Sequence, residues 1–324
     1  AWFQVAWWLL GLGFGVALIA IHLALWRAPV VSGTVIALRC SLVALLITVG
    51  LGLSLGGYFG WGWSLPVVAM TQLHAAWGLA GWTLLLVAGV AYQVVPMFQI
   101  TPSYPQWFGR GFAPLMAALL AAWSVLMLGD WETAARLTST ALAAGIALFA
   151  LTTLHLLAQR RRKIGDPTLG YWRASMASLL ASALLWLATL WIPALGPASP
   201  AEWLLGILPI LGFAVAVING MLYKIVPFLA WFHLQAQLFR RAKVPNMKQL
   251  LPEARIRRQW WVYSATLLLL LAATIQPSFF TYPAALALGV TGAWLGVNLL
   301  SVLRIYRRAL HEGLASVAWK KSCG

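Results

Sequence analysis

Acidic side chains are nearly missing from this chain. Asp and Glu together number six in 324 residues. That leaves no facing carboxylates for general acid and base work on a glycosidic bond. No nucleophile–base pair and no glycine-rich phosphate loop makes up for them, which is too little acid–base inventory for a hydrolase. Cysteine is equally sparse, with only Cys40 and Cys323. Two distant thiols build no disulfide framework, and neither sits in a covalent haem-attachment pattern. Charge of either sign covers just 9% of the residues, against roughly 25% in soluble domains. A chain with 62% hydrophobic residues has too little polar surface to face water, so most of its solvent is lipid.

The apolar residues come in lengths that suit a bilayer, which takes about 20 of them per helical crossing. The sequence predicts an all-α polytopic membrane helix bundle of about nine transmembrane helices. The spans are 5–26, 34–57, 66–95, 111–129, 134–158, 170–192, 203–232, 260–276 and 282–303. Continuous apolar runs favour helices over the alternating pattern of a membrane barrel. Ala1–Trp26 has no basic segment before it and no small-residue cleavage site after it. It reads as a spanning helix, not a signal peptide.

The net charge of +16 has a strong sidedness. With the N-terminus outside and the C-terminus in the cytoplasm, only Arg136 of the 22 Lys and Arg residues falls outside. That is the positive-inside pattern, and it fixes the orientation; the expected location is a bacterial inner membrane. The basic excess then marks topology and contact with anionic lipid, not nucleic acid. The segment 233–259 reads as a basic cytoplasmic loop, with Arg240, Arg241, Lys243, Lys248, Arg255, Arg257 and Arg258. It either docks a partner or lies on the headgroups. Trp61, Trp63, Trp131, Trp191 and Trp203 mark an outer aromatic belt, and Trp107, Trp172, Trp260 and Trp261 an inner one.

Two spans end alike. Gly89, Tyr92 and Pro96 close the third, and Gly220, Tyr223 and Pro227 close the seventh at equal spacing. Both run from outside to inside, which predicts a parallel repeat after four helices, unlike the inverted repeats of many transporters. Each proline is expected to end its helix, with the tyrosine at the inner interface.

Ionisable groups at membrane depth point to function, and His74 is the deepest histidine. At 100° per residue, His74, Gly78, Gly81, Leu85, Gly89 and Tyr92 share an arc of roughly 80°. A histidine above three glycines makes a flat groove. The groove fits either a closely packed neighbouring helix or a planar macrocycle whose iron takes the imidazole.

Leu73-His74, Trp82, Gly89-x-x-Tyr92 and Val-Val-Pro96 together resemble the second core helix of the haem-copper oxidase subunit I superfamily. The match is nearest the nitric oxide reductase large subunit and the C-type oxidases. The resemblance covers about 66–98 specifically and the later helices loosely. It implies that His74 is an axial ligand of a b-type haem, and that the fold is built from arcs of four helices. The family's further site needs a histidine on the counterpart of the seventh span and a His-His pair on the next. Neither is present, and the later helix with two haem ligands has no counterpart. The resemblance therefore describes a reduced member that does not reduce oxygen or nitric oxide alone.

The other candidates are weaker. His22, His155 and His233 lie at the cytoplasmic ends of outside-to-inside spans. They would share a haem or metal level if those helices are neighbours, and are interfacial residues otherwise. His22 shares a small-residue stripe with Gly11 and Gly15, and His311 lies in the tail. Met127 offers a thioether as a second iron ligand alongside His74 or simply packs. Arg136 either pairs with Glu132 four residues before it or meets a haem propionate. Arg39 and Lys224 read as snorkelling side chains, and Gln93, Asn219 and Asn298 as interhelical hydrogen bonders. The sequence thus suggests a haem-b-binding or haem-losing subunit of a respiratory or redox complex. Such a subunit relays electrons or anchors other subunits, among them a periplasmic cytochrome. The alternative is a membrane transporter or channel, or a purely structural subunit without cofactor.

Overall fold

The structure, a computed structural model, describes residues 2–161, 165–195, 200–238 and 244–322, with side chains through 313. The described residues form helices joined by short loops, with no strand among them. Among the described residues nine helices are long: α1 Trp2–Trp26, α2 Gly33–Trp61, α3 Val67–Gln99, α4 Gln106–Leu128, α5 Glu132–Ala158, α6 Pro167–Trp191, α7 Pro200–Leu238, α8 Glu253–Ile275 and α9 Pro277–Ser322. Eight of them are long and apolar enough to cross a membrane. The exception is α8, whose first two turns carry Glu253, Arg255, Arg257 and Arg258. It still pairs with α9 along its length: Arg255 Nη1 donates to Ser301 Oγ at 3.2 Å, and Thr266 Oγ1 meets Thr291 Oγ1 at 2.8 Å.

Several expected boundaries move. Pro96 and Pro227 lie inside their helices, which run on to Gln99 and Leu238. A proline costs one backbone hydrogen bond, and a packed membrane interior tolerates that loss where neighbours re-satisfy the freed group. The expected loop 233–259 is largely helical. The end of α7, a single turn at Met247–Leu250 and the start of α8 take up most of it. Asn246 and Gln249 start that turn as a reciprocal cap, each side chain bonding the other's backbone N–H. Arg162, Lys163, Arg240, Arg241, Lys243 and Cys323, as well as the side chains of Lys320 and Lys321, lie outside the described residues.

The chain forms two compact units, Ala1–Arg162 with Leu179–Gly196, and Lys163–Ser178 with Pro197–Gly324. In the first, α2 is central and packs against α1, α3 and α4, while α4 pairs with α5. No residue of α1 is buried, as suits a helix with lipid around it. Arg39 does not snorkel. Its Nη2 donates to the Leu25 carbonyl at 3.0 Å and its guanidinium lies 4.9 Å over the Trp26 ring. One cation thus closes the exposed carbonyl end of α1.

In the second unit, α8 and α9 pair, and α7 packs against α9. Tyr171, Tyr223, Tyr263 and Trp260 form its aromatic core, with Tyr171–Trp260 centroids 4.7 Å apart. Tyr223 is buried there and accepts a hydrogen bond from Asn298 Nδ2 at 3.0 Å. It is therefore a core residue of this unit. Trp172 is also fully buried and leaves the expected inner belt. The outer-belt tryptophans, Trp107 and Trp261 are exposed.

The repeat extends well beyond the Gly-Tyr-Pro match. Both α3 and α7 contain a widened π-helical stretch, at Trp77–Thr83 and Leu208–Val215. Trp77, Gly81, Gly89, Tyr92 and Pro96 pair with Leu208, Gly212, Gly220, Tyr223 and Pro227 at one constant offset along the chain. The partner helices repeat too. A Cβ added at Gly81 would lie 2.9 Å from Ala44 Cβ, and one at Gly212 would lie 2.6 Å from Ser178. At Gly89 it would meet Ala37 Cβ at 3.0 Å, and at Gly220 Tyr171 Cβ at 2.8 Å. These partners, Ala37 with Tyr171 and Ala44 with Ser178, share a second constant offset. So do Thr34 with Thr168, Arg39 with Arg173 and Ser41 with Ser175. Helices α2 and α3 are thus one copy and α6 and α7 another, each followed by a helical pair.

Candidate functional site

His74 sits on α3 just before the π-helical stretch. Its Nδ1 lies 3.0 Å from the Thr48 carbonyl of α2. A carbonyl only accepts, so Nδ1 carries the proton and donates it. In the neutral imidazole the lone pair is then on Nε2, the atom free to bind iron or accept a hydrogen bond. The ring lies against Gly52: a Cβ there would come within 3.0 Å of His74 Cε1. That close approach explains the glycine. His74 itself is half-buried.

The face below His74 is not open. Helix α2 fills it, with Thr48 Cγ2 3.4 Å from a Cβ at Gly78 and Ala44 at Gly81. Of the two uses of a glycine groove, the structure displays helix packing. The donor set of His74 fits a haem iron; the glycine face does not fit a macrocycle.

Trp77 Nε1 donates to Ser124 Oγ at 3.0 Å, which sets the register between the antiparallel α3 and α4. His74 lies one turn before Trp77 and Met127 one turn after Ser124. Met127 therefore stands level with His74, half-buried.

Three of the remaining histidines, His22, His155 and His233, have local partners. His22 stacks on Trp26 with ring centroids 4.2 Å apart. His155 Nε2 accepts from Gln159 Nε2 at 2.8 Å, and His233 Nδ1 shares a 2.5 Å hydrogen bond with Tyr306 Oη. Among the described residues no group of three or more His, Cys, Asp or Glu side chains converges as a metal site would require. Arg136 lies 3.8 Å from Glu132, both largely exposed, in the expected helical pairing.

A second feature was hidden in the sequence. Lys224 does not snorkel; its Nζ lies 2.6 Å from Asp166 Oδ2, and the carboxylate side chain is 3% exposed. Asp166 Oδ1 also accepts from the Thr168 N–H and hydroxyl, at 3.0 and 2.8 Å, capping the start of α6. Burial raises the Asp166 pKa, but the Lys224 ammonium and the Thr168 donors outweigh it and hold the carboxyl below its ordinary value. The first copy has Ser32 and Gln93 at these positions. Ser32 caps α2 in the same way, accepting from Val35 N at 3.3 Å.

Together these features define a class: the chain is a multi-pass α-helical membrane protein whose surface meets a lipid bilayer. No protein-family model matches it, and no curated protein does.

Proposed function

We propose that this chain is a haem-b-binding integral membrane subunit of a redox complex in a bacterial inner membrane, with His74 as an axial ligand. The carrying observation is the bond from His74 Nδ1–H to the Thr48 carbonyl. Ligating histidines almost always donate their other ring N–H to such an acceptor. The internal repeat adds a second argument. The position matching His74 in α7 is Leu205, so this helix pair folds without a histidine there. A residue that packing does not require invites a functional explanation.

When bound, the haem supplies one-electron exchange. The chain's own residues orient the imidazole through Thr48, seat it against Gly52 and keep its tautomer fixed. The macrocycle would be held through the imidazole, since α2 covers Gly78 and Gly81. The resemblance to haem-copper oxidases supports the same role, and the missing histidines direct it to electron relay or anchoring. Short outer loops leave room for a partner such as a periplasmic cytochrome.

The test is a reduced-minus-oxidised absorbance spectrum of detergent-purified protein, wild type against His74→Leu. The leucine is the second copy's own residue, so the variant is expected to fold. A b-type signal present in wild type and lost in the variant is the expected result. Wild-type protein without haem sinks the reading, and a signal that survives the substitution removes His74 from the site.

A further inference from the structure

Six exposed arginines gather where α8 begins and the apolar part of α9 ends. Arg255, Arg257 and Arg258 occupy the first two turns of α8, and Arg304, Arg307 and Arg308 follow the apolar stretch of α9. The Arg255–Ser301 hydrogen bond sets the antiparallel register, so Arg257 and Arg258 lie within a turn of it on one side and Arg304, Arg307 and Arg308 follow one to two turns away on the other. Two acidic residues stand near them. Glu253 is engaged by Lys248 at 3.2 Å, and Glu312 stands a turn beyond Arg308. On each helix the arginines sit directly above exposed apolar side chains. Trp261 and Leu268 follow Arg258 along α8, while Leu303, Leu300 and Val297 precede Arg304 along α9.

We infer that this α8–α9 end is a binding site for an anionic phospholipid. The guanidinium forks take the phosphate and the apolar stripes take the acyl chains. The stripes decide the occupant: a free phosphate or an acidic polypeptide gains nothing from apolar side chains placed under the arginines, whereas a lipid uses both. Position matters as well. A 46-residue α9 is far longer than the roughly 20 residues a bilayer core needs, so Arg304–Arg308 lies where the helix leaves the hydrocarbon.

The test measures lipid retention by the purified full-length chain in native mass spectrometry, with phosphatidylglycerol and phosphatidylcholine offered in turn. Each basic residue near a membrane surface contributes roughly fivefold to anionic preference. Wild-type protein is therefore expected to retain phosphatidylglycerol at least about tenfold better. Replacing Arg257, Arg258, Arg304, Arg307 and Arg308 with glutamine, while leaving Arg255 and its bond in place, is expected to abolish the preference. Lysine at the same five positions keeps most of it, and Arg136→Gln keeps all of it. Equal retention of the two lipids by wild type overturns the site, as does a preference that survives the glutamine variant. Displacement of the lipid by inorganic phosphate alone also overturns it, and would leave a site that reads the anion only.

Discussion

At the residue scale, the most informative side chains are those in which the two copies differ. The Asp166–Lys224 pair stands where the first copy has Ser32 and Gln93, so the fold itself does not need the charges. Removing one partner is another matter, because it leaves a desolvated charge. Asp166→Asn is expected to destabilise the protein by about 2 kcal/mol, below the ~3–5 kcal/mol of a fully buried pair because Lys224 is partly exposed. The double variant Asp166→Ser with Lys224→Gln copies the first repeat and is expected to recover most of that loss. Thermal unfolding of all three proteins in one detergent checks it, and a double variant no better than Asp166→Asn would refute it. The pH dependence follows from the lowered carboxyl. A depressed folded-state pKa contributes stability that is complete above the ordinary aspartate value of about 3.9 and is lost as pH falls through the folded value. The melting temperature gap between wild type and Asp166→Asn is thus expected to be constant at neutral pH and to close in acid, where the protonated carboxyl resembles the amide.

At the element scale, glycine decides how near two helices come. Gly81 and Gly212 have no room for a methyl group, with Ala44 and Ser178 respectively in the way. Substituting alanine at either is expected to cost about 1–3 kcal/mol through overpacking. Gly50 on α2 is the control, since a Cβ there would meet nothing within 4 Å. Gly50→Ala is expected to be neutral or to gain up to about 1 kcal/mol from helix propensity. Chemical or thermal unfolding separates the two outcomes, and equal effects at Gly81 and Gly50 would contradict the packing. The π-helical stretches belong to this scale too. They begin at Trp77 and Leu208, at matching positions, and a shift in hydrogen-bond register of this kind often marks a functional segment. In α3 the stretch starts just after His74, so the widened turn and the imidazole are neighbours.

At the scale of the whole molecule, orientation follows from the distribution of basic residues. A membrane-impermeant thiol reagent applied to intact cells is expected to label a cysteine placed at Arg136 and to spare one placed at Lys248. Both side chains are more than half exposed, so access depends on sidedness. Reversed labelling would invert the topology. The crossing of α8 is part of this prediction, because an odd number of spans is what puts the two termini on opposite sides.

The sequence on its own determined the class of protein. Apolar runs of bilayer length and a lopsided basic distribution are local properties, and they needed no knowledge of contacts. Gly89-Tyr92-Pro96 and its partner also showed one half of the repeat. The other half, Thr34-Arg39-Ser41 against Thr168-Arg173-Ser175, was hidden because three short polar matches carry little weight in apolar sequence. Only the tertiary structure decided which polar groups meet. Lys224 reads as a snorkelling chain until Asp166, far away along the chain, is brought beneath it. Arg39 reads the same way until the end of α1 folds over it. The glycine stripe below His74 fits a helix or a macrocycle equally well in sequence, and α2 takes the space. The reason is physical: burial and backbone hydrogen bonding fix each helix locally, but long-range packing decides what faces each helix.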